Sequence, residues 1–434
     1  MSNLAIGLVG VLGLLAVLFV RVPIGMALAL VGLLGYAAID GWSTALSTLG
    51  SVPFELASAY SLSVVPLFIL MGAVAARAGM SRELFDAANG IFSGFRGALA
   101  NATIGACAAF GSICGSSIAT AATFSRVAIP EMRRHGYDEG LAAGSVAAAG
   151  CLGILIPPSV ILAIYSLVAE ESLVKLFAAA LLPGLLLATL YVLAVLALAR
   201  VAPQWTPYVA PMSLRNRIRA ARDMWKLALL FFLAVVGVYL GWFSPTEAAA
   251  VAAFVAIVMG FATRKLGLRG LADAFLDTVY SSAMLFFIIA GAFIFSRFVV
   301  LARVPDELVA WVREVQLSPA AIVLAVILLY FLLGTFLEEV STILVTVPVI
   351  LPLMQSIGYD GVWFGIFVTV MATIGLISPP VGLTVFVIQS QNPDIPAGKI
   401  YLGTLPFLAA DFVLVALLIA FPALALWLPA AFKM

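Results

Sequence analysis

The sequence predicts an all-α polytopic membrane protein with about ten transmembrane helices and two re-entrant helical hairpins, arranged in two inverted repeats. Of its 434 residues, 64% are hydrophobic and 10% are charged, whereas soluble domains carry about 25% charged residues. Its apolar runs repeatedly reach the roughly 20 residues that a helix needs to cross the hydrocarbon core of a bilayer. A self-match at one fixed offset divides the chain into two related halves.

Ten apolar runs, bounded by charged residues, glycine or proline, predict membrane spans. They lie near residues 4–20, 24–40, 53–76, 139–168, 175–200, 226–243, 246–264, 275–297, 361–390 and 401–428. The first run lacks a basic segment before it and a small-residue cleavage site after it. We therefore expect a retained span rather than a signal peptide.

Two further apolar stretches, near 98–130 and 319–352, predict re-entrant hairpins. Each has a polar or glycine-rich break near its middle, GSICGSS in the first and GTFLEEVST in the second, and each ends at a proline. Two half-helices that meet at a polar tip satisfy the backbone better than one interrupted span. Short amphipathic connectors, about 80–96 and 304–316, precede the hairpins.

The distribution of basic residues predicts the orientation. The densest basic cluster lies in the longest polar loop, which we expect in the cytoplasm and anchored at the membrane surface. This cluster comprises Arg215, Arg217, Arg219, Arg222 and Lys226. Counting spans from the loop puts both termini in the periplasm and places on the inner side Arg21, Arg77, Arg82, Arg133 and Arg134. Arg297, Arg303 and Arg313 then lie outside, against the rule.

The internal repeat has an offset of 222 residues. It carries GILIPPS, which contains Pro157 and Pro158, onto GLISPPV, which contains Pro379 and Pro380. The same shift relates Gly153 to Gly375, the GYD segment at 136–138 to that at 358–360, Pro130 to Pro352, and Thr120 to Thr342. The span count gives the two copies opposite directions across the membrane. Paired interrupted helices in inverted halves indicate a transport site near the middle of the membrane.

Each proline pair predicts an unwound helix. Its free carbonyls suit a hard cation such as Na⁺, and the N-terminus of the following half-helix suits a carboxylate. In the first half, the hairpin tip residues Ser112, Gly115, Ser116 and Ser117 are expected opposite Gly153 to Ser159. In the second half, Gly334, Thr335, Ser341 and Thr342 are expected opposite Thr373, Gly375 and Ser378. Close packing through small residues is the alternative explanation.

Glu338 and Glu339 form an adjacent carboxylate pair within the second hairpin. Ionisable residues at membrane depth are functional candidates by default. Side chains at successive helix positions point about 100° apart, so we expect at most one of the two to face a cavity. The alternative is that this tip lies near the outer surface and that both carboxylates are solvated.

Several function classes are disfavoured by the composition. The net charge of +1 provides no basic field for nucleic acid. The three cysteines lie among small residues and the single histidine lies apart from them, so we expect no transition metal. A GxxxxGK[ST] phosphate loop is absent from the sequence, as is any recognisable nucleophile and base pair. We therefore expect a transporter driven by an ion gradient rather than an enzyme.

Over almost its whole length the chain resembles the large membrane subunit of tripartite ATP-independent periplasmic (TRAP) transporters, the DctM-like family. The resemblance is carried by GSICGSSIATAATFSRVAIPEMRRHGYD, GILIPPS, TVPVILP, GLISPPVGLTVFV and LPFLAADFVLVALLIAFPALALWLP. It implies sodium-driven uptake of an organic acid, usually a carboxylate, across the bacterial inner membrane. It also implies two partners, a small four-helix membrane subunit (DctQ-like) and a periplasmic substrate-binding protein (DctP-like).

The resemblance further implies an elevator mechanism and a set of site residues. The moving transport domain would comprise 98–168 and 319–390, with 1–97, 169–318 and 391–434 as scaffold and connectors. Sodium ligands would be Ser112, Gly115, Ser116, Gly153 and Pro157 in one half and Gly334, Thr342, Gly375 and Ser378 in the other. The family often has an amide or acidic residue where this chain has Met371 and Thr373, so Thr373 is the expected replacement ligand. Substrate contacts are expected from Ser117, Pro158, Ser159, Glu338, Pro379 and Pro380. A sodium-coupled symporter that works without a binding protein, and a channel, are the alternatives.

Overall fold

The computed structural model describes residues 2–20 and 22–432, and within these ranges the chain is almost entirely helical. The first half contains α1 (Asn3–Phe19), α2 (Ile24–Asp40), α3 (Trp42–Ser58), α4 (Val64–Arg77), α5 (Met80–Phe92), α6 (Ala98–Cys114), α7 (Ser117–Arg134), α8 (Glu139–Leu155), α9 (Val160–Val168) and α10 (Leu173–Val201). The central loop contains α11 (Leu214–Asp223). The basic residue Arg21, predicted to lie inside, is outside the described residues.

The second half begins with α12 (Trp225–Phe231), which continues through a π-helical turn at Phe232–Val236 into α13 (Gly237–Tyr239). It then contains α14 (Pro245–Ala262), α15 (Leu268–Leu301), α16 (Val304–Glu314), α17 (Pro319–Phe336), α18 (Glu339–Ser356), α19 (Gly361–Ile377), α20 (Leu383–Gln391), α21 (Ala397–Ala420) and α22 (Ala423–Ala431).

Local sequence explains where the helices of the hairpins and broken helices begin. The residue before α7, α8, α9 and α19 acts as a cap, since its side chain accepts a hydrogen bond from the backbone of the first turn. These residues are Ser116 for α7, Asp138 for α8, Ser159 for α9 and Asp360 for α19. Such caps satisfy N–H groups that a helix cannot pair internally. This satisfaction is essential within a membrane, where water is scarce.

Seven of the described helices are long and apolar enough to cross a membrane, or eight when the broken pair α8 and α9 is counted as one span. The two members of that pair are bent by 47°. α1, α2, α6 and α19 are apolar but have at most 17 residues. A multi-pass helical membrane protein, as predicted, is confirmed.

The predicted hairpins and broken helices are present. In the first hairpin the rings of Phe110 on α6 and Phe124 on α7 lie 5.6 Å apart, centroid to centroid. In the second, the Thr346 hydroxyl on α18 lies 2.6 Å from the Tyr330 hydroxyl on α17. These contacts join residues at similar distances on either side of each tip, so both pairs fold back on themselves. The broken helices are α8 with α9 and α19 with α20.

The repeat offset of 222 residues relates the elements of the two halves almost residue for residue. When 222 is added to their residue numbers, α7 has the same first and last positions as α18, and α8 has the same first and last positions as α19. α6, α9 and α10 fall within a few residues of α17, α20 and α21. The duplication inferred from isolated motifs therefore extends to the secondary structure of each half.

Two of the predicted spans are divided in the structure. The span near 53–76 is divided, because Ala59 adopts an extended conformation after α3 and helical structure resumes only at Tyr60. The span near 401–428 is divided at Phe421 and Pro422, since proline cannot continue a helix from the preceding residue. The sequence also did not predict α11 or the N-terminal part of α3.

Lys226 makes a contact that the sequence did not predict. Its ammonium is buried and lies 2.8 Å from a carboxylate oxygen of Glu83 on the connector α5. Lys265 pairs with the same carboxylate. Burial alone would raise the pKa of Glu83, but the hydrogen bonds from Lys226 and Lys265 outweigh it and lower the pKa. This cluster ties α5 to the start of α12.

Candidate transport site

The first hairpin tip packs directly against the first helix break. α6 ends at Cys114 and is followed by Gly115, whose φ of +64° favours glycine; α7 begins at Ser117. An ideal Cβ on Gly111 would lie 2.5 Å from the Cα of Gly153 in α8. The two backbones therefore approach each other more closely than any residue with a side chain permits, as the pairing of small residues predicted.

The polar side chains of this first pair are buried. Ser112 Oγ donates to the Ala109 carbonyl at 2.8 Å, and Ser159 Oγ donates to the Ile154 carbonyl at 2.5 Å. Pro157 and Pro158 are buried between α8 and α9. Thr120 Oγ1 is buried close to Gly111 and makes no hydrogen bond of standard geometry with the described residues; it interacts with the Cys114 thiol, a weak hydrogen-bonding group. An oxygen of this kind is available to a ligand.

The second tip and break repeat this arrangement. Gly334 of α17 packs on Gly375 of α19, where an ideal Cβ on Gly334 would lie 3.1 Å from the Gly375 Cα. The Gly382 N–H donates to the Thr335 carbonyl at 3.4 Å, joining the tip to the far side of the break.

The hydroxyls predicted for the second site bond backward along their own segments. Thr342 donates to the Glu338 carbonyl at 3.0 Å, Thr373 to Val370 at 2.6 Å, and Ser378 to Ile374 at 2.6 Å. Because each hydroxyl donates its proton there, its lone pairs remain free to accept or to coordinate. All three side chains are buried.

The two breaks differ in exposure. Pro157 and Pro158 are buried, whereas their repeat equivalents Pro379 and Pro380 are exposed. The Tyr401 hydroxyl of α21 donates to the Val381 carbonyl at 2.6 Å, just after the second pair. The fold of the two halves is thus duplicated, but their environment is not.

The two hairpin tips meet each other. The Ser117 hydroxyl donates a 2.6 Å hydrogen bond to Oε1 of Glu339, a residue 222 positions further along the chain. These are the first residues of α7 and α18, so the positive ends of two helix dipoles converge here. The Glu339 side chain is 6% exposed, and its Oε2 has no hydrogen-bond partner among the described residues.

A cavity of about 900 Å³ opens beside this junction. One wall is formed by α4 and α15, and the other by α7, the start of α9 and the second tip. Gly115, Ser116, Glu338 and Glu339 line it. Among the described residues, its lining does not include Ser117, Pro158, Ser159, Pro379 or Pro380.

The expectation that at most one of the two glutamates faces the cavity was wrong. Both line it, because Glu338 precedes the helix in an extended conformation, so the 100° rule does not apply to this pair. The alternative of two solvated carboxylates is also contradicted, since Glu339 is buried. Glu338 is half-buried, and its Oε1 accepts a hydrogen bond from Ser341 at 3.2 Å.

Charged residues that sequence reasoning did not assign to the site also line the cavity: Arg77, Arg126 and Asp277. Arg77 Nη2 lies 2.5 Å from Asp277 and its Nη1 lies 3.4 Å from Asp273. Arg126 could have been identified as a candidate from the sequence, because it is a charged residue within a predicted apolar hairpin. The Arg77 pair could not be predicted, because its partners are about 200 residues away in sequence.

Paired helical hairpins and paired broken helices beside a cavity, in two repeated halves of the chain, are typical of secondary transporters. Two solved structures share this fold. The Alcanivorax borkumensis YdaH transporter matches with a TM-score of 0.64 at 16% identity, covering 88% of this chain and 89% of that one. Neisseria gonorrhoeae MtrF matches with a TM-score of 0.58 at 15% identity, covering 91% and 85%.

Sequence comparison narrows the class to a family. The model of the tripartite ATP-independent periplasmic transporter DctM component matches residues 11–424. The C4-dicarboxylate TRAP transporter large permease protein DctM of Pseudomonas aeruginosa is 38% identical over 378 residues, 87% of this chain and 88% of that protein. The sialic acid TRAP transporter large permease protein SiaM of Vibrio cholerae is 29% identical over 97% of this chain and 98% of its own.

The chain therefore belongs to the DctM family and is a large membrane subunit of a TRAP transporter. The predicted family is confirmed. So is the expectation of a transport protein rather than an enzyme, since the family consists of permeases.

Proposed function

We propose that this subunit imports a small organic acid by coupling its movement to a sodium gradient. The observation that carries the proposal is the junction of two equivalent hairpin tips, each packed on its own helix break, beside a cavity of about 900 Å³. Ligand pockets commonly have volumes of about 300–1,000 Å³. The junction thus provides two candidate cation sites next to space for one anion.

The two sodium sites of this proposal are the tip and break pairs. The first uses Ser112, Gly115, Ser116, Gly153 and Pro157, and the second uses Gly334, Thr342, Thr373, Gly375 and Ser378. Hydroxyl and carbonyl oxygens are suitable ligands for a hard cation. The Thr120 hydroxyl supports the first site, because it is buried without a hydrogen bond of standard geometry and interacts only with the weakly polar Cys114 thiol among the described residues.

The substrate of the proposal is an anion held in the cavity. The names of relatives refer to C4-dicarboxylate, sialic acid and isethionate, all of which carry a carboxylate or a sulfonate. Glu338 and Glu339 on the cavity wall would repel such an anion. Sodium ions bound at the adjacent tips would offset this repulsion, which links anion binding to cation binding.

We propose an elevator movement in which the hairpins and broken helices, 98–168 and 319–390, slide along the remaining helices. The packing supports adding α10 and α21 to this moving unit. An ideal Cβ on Gly140 of α8 would lie 2.5 Å from the Lys399 carbonyl of α21. The Tyr191 hydroxyl of α10 donates to Asp411 of α21 at 2.7 Å, and Trp363 of α19 donates to the Leu418 carbonyl at 3.0 Å. Helices in such close contact are expected to move together.

The proposal includes two partners and a location. The subunit lies in the bacterial inner membrane with both termini in the periplasm, bound to a small four-helix membrane subunit. A periplasmic binding protein delivers the acid. These partners are those with which large permeases of this family work.

Reconstitution tests the proposal directly. The chain is placed in liposomes with the small subunit of the same organism, and its binding protein is added outside with radiolabelled succinate, isethionate or N-acetylneuraminate. We expect uptake of one acid that requires both an inward sodium gradient and the binding protein. Uptake that persists when potassium replaces sodium would contradict the coupling. Sodium-dependent uptake without the binding protein would instead identify a self-sufficient symporter.

A further inference from the structure

Arg126 joins two cavities. It lies on α7 and lines both the central cavity of about 900 Å³ and a second pocket of about 390 Å³. The second pocket lies between the connector α5 and the C-terminal half of α7, and its wall includes Arg82 and Arg134. Among the residues that line the two cavities, Arg126 and its neighbour Val127 are shared.

The charge of Arg126 is not neutralised. Arg77, the other arginine of the central cavity, is paired with Asp273 and Asp277, and Arg134 lies 3.4 Å from a carboxylate oxygen of Glu131. Within the described parts of the chain, Arg126 has no carboxylate oxygen within the 4.0 Å of an ion pair.

A neutral amide from the other half of the repeat positions the guanidinium. Arg126 Nε donates to Oε1 of Gln391, at the end of α20, over 3.3 Å. The next residue, Asn392, donates from Nδ2 to Ser125 Oγ at 2.9 Å, so two successive contacts fix α20 on α7. A hydrogen bond to an amide orients the side chain without removing its charge. The two Nη groups, which form the fork that matches a carboxylate, are left for another partner.

The balance of charge shows why the guanidinium matters. With all groups ionised, the central cavity has two arginines, Arg77 and Arg126, against three carboxylates, Asp277, Glu338 and Glu339. Because Arg77 is already paired with Asp277, only Arg126 is available to attract an anion. The pocket beyond it has three arginines against two carboxylates. An anion that moves from the first cavity to the second thus passes Arg126 and enters a more positive surrounding.

From this arrangement we infer that Arg126 binds the carboxylate or sulfonate group of the substrate, and that the substrate passes Arg126 when it moves between the central cavity and the α5–α7 pocket. The inference rests on the proposed function, since it assumes that the transported molecule is an organic anion. It adds the residue that recognises the charged group and the route by which that group leaves.

The test uses Arg126→Gln and Arg126→Lys in the complete transporter, with Arg200→Gln as a matched control that removes a surface arginine from α10. Initial uptake rates are measured against substrate concentration at saturating sodium. Loss of a charge-assisted, two-pronged hydrogen bond predicts about a 10- to 100-fold lower kcat/KM for Arg126→Gln. Arg126→Lys should recover part of this loss, and Arg200→Gln should match the wild type. An unchanged kcat/KM in Arg126→Gln would overturn the inference.

Two further measurements distinguish a loss of substrate binding from misfolding of the variant. A further outcome tests the proposed function separately. A single cysteine is placed at Thr123, a cavity residue, in a background without the three native cysteines, because Cys114 lines the same cavity. Its protection against maleimide labelling reports binding of the transported acid without turnover. Arg126→Gln should shift half-protection to about 10- to 100-fold higher concentration of the acid. Gln391→Glu retains Arg126 but places a carboxylate beside its guanidinium, so this variant should weaken binding of the acid similarly. If Arg126→Gln fails to fold, wild-type binding of the acid by Gln391→Glu would overturn the inference. Uptake by the wild-type transporter that does not depend on the sodium gradient would instead contradict the proposed function.

Discussion

Ser117 and Glu339 are equivalent positions of the two repeats, and their side chains bond to each other at 2.6 Å where α7 and α18 begin. The contact therefore joins the same position of both repeats. The hydroxyl donor and the carboxylate acceptor show that the duplicated positions have diverged into complementary partners. The tips of both hairpins are thereby fixed to each other rather than only to their own breaks.

We predict that Ser117→Ala destabilises the protein by about 2 kcal/mol, because it leaves the second oxygen of a buried carboxylate without a partner. In a Glu339→Gln background the same change should cost about 1 kcal/mol, since a neutral acceptor forms a weaker bond. Thermal unfolding of the four proteins of this double-mutant cycle in detergent measures the difference. Ser145→Ala, which removes a buried hydroxyl bonded within its own helix, is the control. Equal costs in both backgrounds would contradict a charged partner.

Close backbone contacts at both tips predict that Gly153→Ala and Gly375→Ala abolish uptake. An ideal Cβ on Gly375 would lie 2.5 Å from the Gly334 Cα, and one on Gly153 would similarly meet Gly111. The methyl group would force each tip away from its break. Gly13→Ala is the control, because an added Cβ there meets nothing within 4 Å and alanine favours helix. Retained uptake in both tip variants, at wild-type expression, would show that this proximity is dispensable.

Thr120 gives a prediction for sodium coupling. Thr120→Val removes its buried hydroxyl with little change in shape, so we expect the sodium concentration for half-maximal uptake to rise about 5- to 10-fold. The substrate KM at saturating sodium should change much less. Thr189→Val removes a hydroxyl that bonds within α10 and serves as the control. An unchanged sodium dependence in Thr120→Val would remove Thr120 from the first site.

The hairpins and broken helices could be predicted from the sequence, whereas the contacts between the two halves could not. Polar breaks in apolar runs and a repeated proline pair predicted the hairpins and broken helices, because a membrane permits irregular backbone only in special places. The meeting of Ser117 with Glu339 was not predictable, since the pattern within each half does not report how the halves pack. Arg126 could have been singled out as an intramembrane charge. Its lack of a carboxylate partner, however, depends on residues far away in the chain.

The Glu83 cluster gives a prediction that depends on pH. The pKa of Glu83 is lowered from its ordinary value of 4.5 in the folded protein, chiefly by Lys226 and Lys265 acting against burial. A lowered folded-state pKa contributes stability that is present above the unfolded-state value and is lost as the pH falls through the folded-state value. Glu83→Gln should therefore cost about 3 kcal/mol at pH 7, because it leaves Lys226 buried and unpaired. The difference from wild type should shrink progressively below about pH 4.5.

Thermal unfolding of wild type and Glu83→Gln between about pH 3 and pH 8 tests this prediction. Glu314→Gln, on the exposed side of the second connector, controls for the loss of one surface charge. A difference between wild type and Glu83→Gln that stays constant across this range would contradict the ion-pair explanation.

We predict that the two repeats have opposite orientations in the membrane, because of where α7 and α18 begin. Both have 18 residues and their N-termini meet at the tip junction. If the repeats are inverted, the C-terminus of α7 reaches the cytoplasm and that of α18 reaches the periplasm. His135 and Gln355, exposed residues near these ends, are better sites for a cysteine than Gly136 and Gly358, whose positive φ angles would strain a substitution. In a background without the three native cysteines, an impermeant maleimide should label Gln355→Cys in intact spheroplasts. It should label His135→Cys only after permeabilisation, and labelling of both from the same side would refute the inverted arrangement.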